Sequence, residues 1–486
     1  MALWPQFLGP AYRARSQAIA ADTLINLYLE VTENSADAKQ STYYGTPGLK
    51  LLLTVGTQSC RGCFSQDNRT FVVVGNTLYE LNLTTLVATN RGLIANDGKP
   101  VAFATNGRGG EQLAIVGGGQ LKIFTLTTNV LSAAIALPLT NAPVTIDFMD
   151  GYFLLLEANT IRIWFSGLEN GLTWNALDFF SVSQTSDNNV GLKVVRGRIY
   201  VFGSQNSGIF YDSGNATTPF VPYPGSIMLE GAVSPWAIAV LGETVYWLAQ
   251  DNQGRNRMVS TTAASPTEIS TPPISFALAS YTTIDDAEAL AYEQEGHPFV
   301  VWTFPTGDQS WAYDAREQQW HQRDNWDQAS GSSHRWRARG LCATSTLLLT
   351  GDYATGALYA LDLDTFQDNG AMIRRARRAP YLSAENQFIF FRRFELGIQE
   401  GVGLTSGQGS NPQLILSVSR DGAQTWTPPV TATMGAQGQY TNRAVWRNLG
   451  RARADRFVVE VTVTDPVRIV IGPGAWLEAA AGTGEL

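Results

Sequence analysis

Between residues 71 and 370 the chain alternates short apolar runs with polar or glycine-bearing turns. Asp150-Gly151 precedes an apolar run from Tyr152 to Leu156; a polar turn at Glu157-Ala158-Asn159 leads to a second run, Thr160 to Trp164. Arg196-Gly197 opens a second copy, Arg198 to Phe202 and then Ile209-Phe210-Tyr211. Gly242-Glu243 opens a third, Thr244 to Leu248 and then Met258-Val259. Gly151, Gly197 and Gly242 are spaced by 46 and 45 residues. A period of ~40–50 residues, with a few strands in each unit, predicts propeller blades. Similar pairs of runs begin at Phe71, Leu113, Phe299 and Leu347, so seven hairpin cues predict six or seven blades. The first and last cues could belong to one blade closed by both ends of the region. The physical reason for a ring is that a lone hairpin has an apolar face it cannot bury, whereas stacked blades cover one another.

Outside this region the texture differs. Leu24 to Val31 alternates loosely and predicts a strand, Glu33 to Ser41 a polar loop, and Thr46-Pro47-Gly48 a turn. Past Gly370, apolar runs at Phe388–Phe391, Phe394–Ile398, Leu414–Val418, Asn442–Asn448, Arg456–Val463 and Val467–Ile471 predict a second β domain, a sandwich over 380–478, with a loose tail at 479–486. The expected division is 1–60, contributing to a platform; 61–370, an all-β propeller; and 371–486, the C-terminal part of the platform.

Composition narrows the class. The chain has 486 residues, with 44% hydrophobic and 11% aromatic content but only 16% charged residues, and carries 46 Gly. That balance suits turn-rich β structure and excludes a disordered chain. No apolar run reaches the ~18 residues of a membrane span, and the N-terminus lacks the basic start and apolar core of a secretory signal. Net charge is −8, but residues 371–460 hold 12 Arg and 6 acids, so the remainder carries −14. An acidic bulk argues against general nucleic-acid binding.

Candidate chemistry is sparse. Cys60-Arg61-Gly62-Cys63 has the spacing of half a zinc site or of a dithiol. Zinc needs two further ligands, and a redox dithiol needs a helix start, whereas a strand follows at Phe71. The pair is therefore read as structural. Asp362, Asp364 and Asp368 lack the glutamate and spacing of a calcium loop, and Asp285-Asp286 with Glu288 has no organised neighbour. Trp247, Trp302, Trp311 and Trp320 fall on apolar runs and are read as packing. Ser419-Arg420-Asp421-Gly422-Ala423-Gln424-Thr425-Trp426 resembles an Asp-box turn, with Ala423 where that pattern has glycine. No catalytic set, cofactor motif or metal site emerges. The basic run Arg374, Arg375, Arg377 and Arg378 is the one candidate interface: Arg forks hold carboxylates bidentately, although such runs are also found as solvated linkers.

Several fragments together resemble a known family. They are Asn26-Leu-Tyr-Leu-Glu30 with Thr46-Pro-Gly-Leu49; Arg61-Gly62 with Val72-Val-Val-Gly75 and Leu78-Tyr79; Arg196-Gly-Arg-Ile-Tyr-Val-Phe-Gly203; Ala312-Tyr-Asp-Ala315 with Trp320; and Ala444-Val-Trp-Arg-Asn-Leu-Gly-Arg-Ala-Arg453 with Val458–Val463 and Pro466-Val467. In this order they resemble the tail hub, or nozzle, proteins of short-tailed bacteriophages, the packaged-DNA stabilisation proteins. The resemblance implies a structural virion protein, made in the host cytoplasm. It implies six copies in a ring below the portal-adaptor protein, carrying tail spikes or fibres and meeting a needle or plug. Such a ring extends the DNA channel, helps retain packaged DNA and takes part in ejection, with DNA passing without sequence-specific binding. The competing readings are a sialidase-like propeller glycosidase and a carbohydrate- or peptide-binding propeller. The first needs an arginine cluster and an acid-base set in the central cavity.

Overall fold

The computed structural model describes residues 1–11, 13, 15, 20–34, 38–182, 187–215, 218–379 and 387–481. Seven antiparallel sheets of mostly four strands follow one another around an axis. Blade 1 is Cys60–Gln66, Arg69–Val74, Thr77–Asn82 and Val87–Leu93. Blades 2 to 6 occupy 102–131, 143–181, 189–222, 231–268 and 288–327. Blade 7 takes three strands from Ala338–Ala343, Leu348–Asp352 and Ala357–Asp362, and its outer strand from Gly48–Thr54. The first and last cues are thus separate blades, and the ring is closed by a strand that precedes all the others in the chain.

The hairpin pattern is met residue by residue. Asp150 and Gly151 have φ of 47° and 90°, and Arg196 and Gly197 have 49° and 68°. Two consecutive left-handed residues match the right-handed twist of the strands they join. Each blade's second strand reads as a continuous apolar run because neighbouring blades cover both of its faces. Phe153 to Leu156, Ile199 to Phe202 and Val245 to Ala249 accordingly lie buried, and their side chains enter two different inter-blade cores alternately. Trp247 and Trp302 pack in such cores, each donating its indole N–H to a backbone carbonyl, Gly231 O at 3.1 Å and Ala237 O at 3.1 Å. One helix, Pro272–Ser280, lies against blades 5 and 6.

The chain ends build a sandwich. One sheet orders Leu27–Asn34, Ala38–Gly45, Val470–Ala481, Phe388–Ile398 and Ala444–Arg453, with Ala2–Leu3 pairing Val470–Ala481. The other orders Thr23–Ile25, Arg375–Arg378, Val458–Val463, Gln413–Ser419 and Val430–Thr433. Trp4, Phe7, Phe394, Trp446, Leu416 and Val461 fill the space between them.

Three local expectations change. The stretch read as one strand from Leu24 is two, broken at Asn26, whose φ is 51°. Most of the stretch read as a polar loop forms a hairpin, Leu27–Asn34 with Ala38–Gly45, because backbone pairing tolerates polar side chains. The expected loose tail is a strand as far as Ala481, held by pairing with Phe388–Ile398; 482–486 fall outside the described residues.

Candidate functional site: a buried junction and an axial mouth

The second sandwich sheet does not stop at its edge. Ile25 pairs in parallel with Gln322 of blade 6, so propeller and sandwich share one sheet. Asn26 locks this junction. Its amide Nδ2 donates to Asp324 O at 3.1 Å, to Arg374 O at 2.9 Å and to the Asp324 carboxylate, and its Oδ1 accepts from Asp324 N at 3.1 Å. The left-handed backbone of Asn26 lets its own N–H reach Gln322 O at 2.9 Å while its carbonyl accepts from Thr46 N at 3.1 Å. Asn is among the few side chains that enter this conformation with little strain.

The four arginines of the basic run sit at this junction. Arg375–Arg378 is a strand between Thr23–Ile25 and Val458–Val463, so it is not a flexible linker. Strand alternation sorts the side chains onto two faces. Arg374 and Arg378 both grip Glu460, at 3.0 and 2.7 Å, and stack over Trp326 and Trp426. Arg375 and Arg377 are 1% and 0% exposed, so neither presents its side chain to a neighbouring subunit. Arg377 instead donates to Phe7 O at 2.8 Å, Gln6 O at 3.2 Å and Gly9 O at 3.1 Å, tying down the 3-10 turn Pro5–Leu8. Burial lowers the Arg375 pKa to about 10, opposed by the nearby Asp368 carboxylate. Burial raises Asp368 to about 6, with Arg323 the main opposing influence. The Arg323 guanidinium, itself 1% exposed, lies over the Trp336 ring at 4.0 Å. Sequence reading missed Asn26, Arg323, Asp324 and Asp368 as a group. The available signal was polar residues embedded in apolar runs, Asn26 within Leu24–Leu29 above all.

The acidic loop after blade 7 serves the closing strand. Asp368 accepts from Leu49 N at 3.1 Å, and Asp362 pairs with Lys50 at 3.2 Å. Among the described residues, no group of three or more His, Cys, Asp or Glu is arranged to hold a metal ion. No helix among them is long and apolar enough to cross a membrane.

The inner strands of the blades surround an axial cavity whose mouth holds about 630 Å³, a small-molecule volume. Charged side chains at the mouth are largely committed. Arg339 is clamped by Glu288 at 2.8 and 2.5 Å, Arg335 lies 3.9 Å over the Tyr353 ring, and Asp286 accepts from Thr306 N at 2.7 Å. The two arginines have separate partners on the rim, which is not the convergent arginine set that a sialidase-like site needs. The Asp-box-like turn lies in the sandwich. Asp421 accepts from Gln424 N, Thr425 N and Thr425 Oγ1 at 3.0, 2.9 and 2.5 Å, bonds led by that to the Thr425 hydroxyl that lower its pKa to about 2. The turn is a structural one, with Ala423 held at a φ of 65°.

The profile of the family described as bacteriophage P22 Gp10, beta-propeller, matches residues 9–366, and that of the same protein's beta-sandwich matches residues 374–473. No curated protein matches the chain. Similar solved structures include U3-55K at 10% identity, covering 65% of this chain and 99% of that one with a TM-score of 0.41. The N-terminal domain of Nup159 gives 9% identity, 70% and 98% coverage and 0.40. A chain of the mitotic checkpoint complex gives 10%, 68% and 96%, and 0.42.

Proposed function

We propose that this chain, which belongs to the bacteriophage P22 Gp10 family and is a structural protein of the phage tail, works as a hub or nozzle subunit. The observation that carries this is the matching of both parts of the family, propeller and sandwich, in order along almost the whole chain. In the finer reading, six copies form a ring beneath the portal-adaptor protein, and the channel runs between chains. Outside 371–460 the chain carries −14, and a wall of like charge does not grip passing DNA. Retention of packaged DNA, attachment of spikes or fibres, contact with a needle or plug, and a part in ejection belong to the same reading, as do synthesis in the host cytoplasm and the absence of enzymatic activity. Two of the four arginines, Arg374 and Arg378, remain partly accessible beside Glu460 and are proposed to help dock a neighbouring subunit or the adaptor.

Negative-stain imaging of the purified chain mixed with a portal-adaptor complex tests the assembly. Six-fold rings capping the complex are expected. Complexes that stay uncapped at saturating protein would overturn the hub reading. Hydrolysis of a fluorogenic sialoside, abolished by substitutions at the axial mouth, would favour the glycosidase instead.

A further inference from the structure

All three cysteines of the chain meet where blade 7 adjoins blade 1. Cys60 and Cys63 stand on the inner strand of blade 1, and Cys342 on the inner strand of blade 7. Residues three apart on a regular strand face opposite ways. Here a bulge between Cys60 and Gly62 inserts one residue and resets the alternation, so the two sulfurs lie 3.7 Å apart. The bulge is held by Arg61, a buried side chain that donates to Lys99 O at 2.6 Å, Ala95 O at 2.8 Å and Asp97 at 2.7 Å. Cys63 occupies the centre of the trio: its sulfur lies 3.7 Å from that of Cys60, and it packs with Cys342 in the same cluster, where the Cys342 strand runs against Gly62 and Cys63. The blade 7 backbone comes close enough for this only because it carries glycine. A Cβ on Gly351 would sit 2.3 Å from the Cys60 sulfur, and one on Gly340 would sit 3.0 Å from Gly62 Cα.

Packing alone explains a buried thiol, since free cysteine behaves as a small apolar side chain. It does not explain why all three cysteines of the chain, from strands 279 residues apart, gather in one cluster around Cys63. Accessibility separates the three. Cys60 is fully buried, whereas Cys63 and Cys342 are part-exposed, so a dissolved oxidant meets those two first.

We propose that Cys63 and Cys342 are a modification site, a dithiol that closes to a disulfide in an oxidising medium and ties the first blade covalently to the last. The oxidant is a low-molecular-weight disulfide. The thiolate of Cys342 attacks one of its sulfurs, forming a mixed disulfide and expelling one thiolate. Cys63 then loses its proton and attacks the Cys342 sulfur, expelling the second thiolate. Two protein thiols are oxidised, one small disulfide is reduced to two thiols, and the released protons go to those leaving groups. The biological setting rests on the tail reading: a protein assembled in a reducing cytosol and released in a particle into an oxidising medium.

The test uses the isolated full-length chain, so its failure leaves the tail reading standing, and the imaging test does not bear on it. The chain is incubated with oxidised glutathione at about pH 8, near the ordinary thiol pKa, then alkylated in denaturant, digested and analysed by mass spectrometry. A peptide pair joined through Cys63 and Cys342 is expected, with Cys60 alkylated, reversal by dithiothreitol, and a higher melting temperature than the reduced form. Cys60→Ser keeps the link and the higher melting temperature. Cys342→Ser loses both, and should that variant not fold, the wild-type map and Cys60→Ser decide. Three alkylated thiols after oxidation, a Cys60–Cys63 link, or glutathione retained on Cys63 would each overturn the proposal.

Discussion

Asn26 bonds the sandwich sheet to blade 6, so its replacement tests the junction between the two parts. Replacing it with glycine keeps the left-handed backbone and removes the amide. Lost are the bonds to Asp324 O, Arg374 O and the Asp324 carboxylate, and the one received from Asp324 N. The two Nδ2 protons divide among three acceptors, so about three bonds' worth is lost, at about 1 kcal/mol each. Asn26→Gly should therefore cost about 3 kcal/mol. Asn26→Ala loses the same bonds and also forces a Cβ into the left-handed region, adding about 1 kcal/mol. The assay is thermal unfolding by calorimetry. At about 2.1 cal/mol/K per residue, 486 residues give an unfolding entropy of about 1 kcal/mol/K. If the chain melts as one unit, the glycine variant should fall by about 3 °C and the alanine variant by about 4 °C. If the junction is what couples the two parts, the single endotherm should also broaden or split. Variants that both melt within 1 °C of wild type, or alanine milder than glycine, would refute the reasoning.

Three further outcomes are expected. Burial raises Asp368 to about 6, so the folded state binds its proton more tightly than the unfolded state does. Stability from this group therefore rises as pH falls from 7 to 4, and Asp368→Asn should flatten that rise by about 2–3 kcal/mol in denaturant titrations. Ala423→Gly relieves a φ of 65° at the tip of the Asp421 turn and should stabilise the fold by up to about 1 kcal/mol, read as a higher guanidinium midpoint. Joint replacement of Arg374 and Arg378 by serine should weaken ring assembly on the adaptor and flatten its salt dependence, since exposed pairs are screened over ~10 Å at 0.1 M; assembly and salt profile identical to wild type would remove these residues from the interface.

The propeller was legible because its signal repeats. Glycine-marked turns before apolar runs recur, and each recurrence reports the same need of a hairpin for covering faces. The Asp150-Gly151 and Arg196-Gly197 turns stand where the pattern puts them, with the backbone those residues favour. The closing strand was not legible as part of a blade. Gly48–Thr54 is the outer strand of blade 7, so its partner lies some 300 residues away and nothing local marks the pairing. The arginine run shows a different limit. Charge count suggested an exposed cluster, but strand alternation separates its members, and the acceptors of Arg377 are backbone carbonyls that no composition reveals. The cysteine trio escaped for a third reason. Two of its members are local, but the bulge that aligns them and the strand that brings Cys342 are not.

The placement of Gly48–Thr54 has a consequence for biosynthesis. A ribosome delivers this strand early and its partner, Ala357–Asp362, about 300 residues later. At ~5–20 residues per second the strand waits roughly 15–60 s without a neighbour. The sandwich waits longer still, since Ala2–Leu3 and Ala38–Gly45 both pair with Val470–Ala481. Neither domain can close from its N-terminal strands alone: the ring stays open until Ala357–Asp362 is made, and the sandwich until Val470–Ala481 is. During that interval unpaired strand edges are available to any neighbouring nascent copy. Nonsense or frameshift products ending before Ala357 are left with an open ring and a minority of the sandwich strands, which makes them substrates for proteolysis and not partial competitors in assembly.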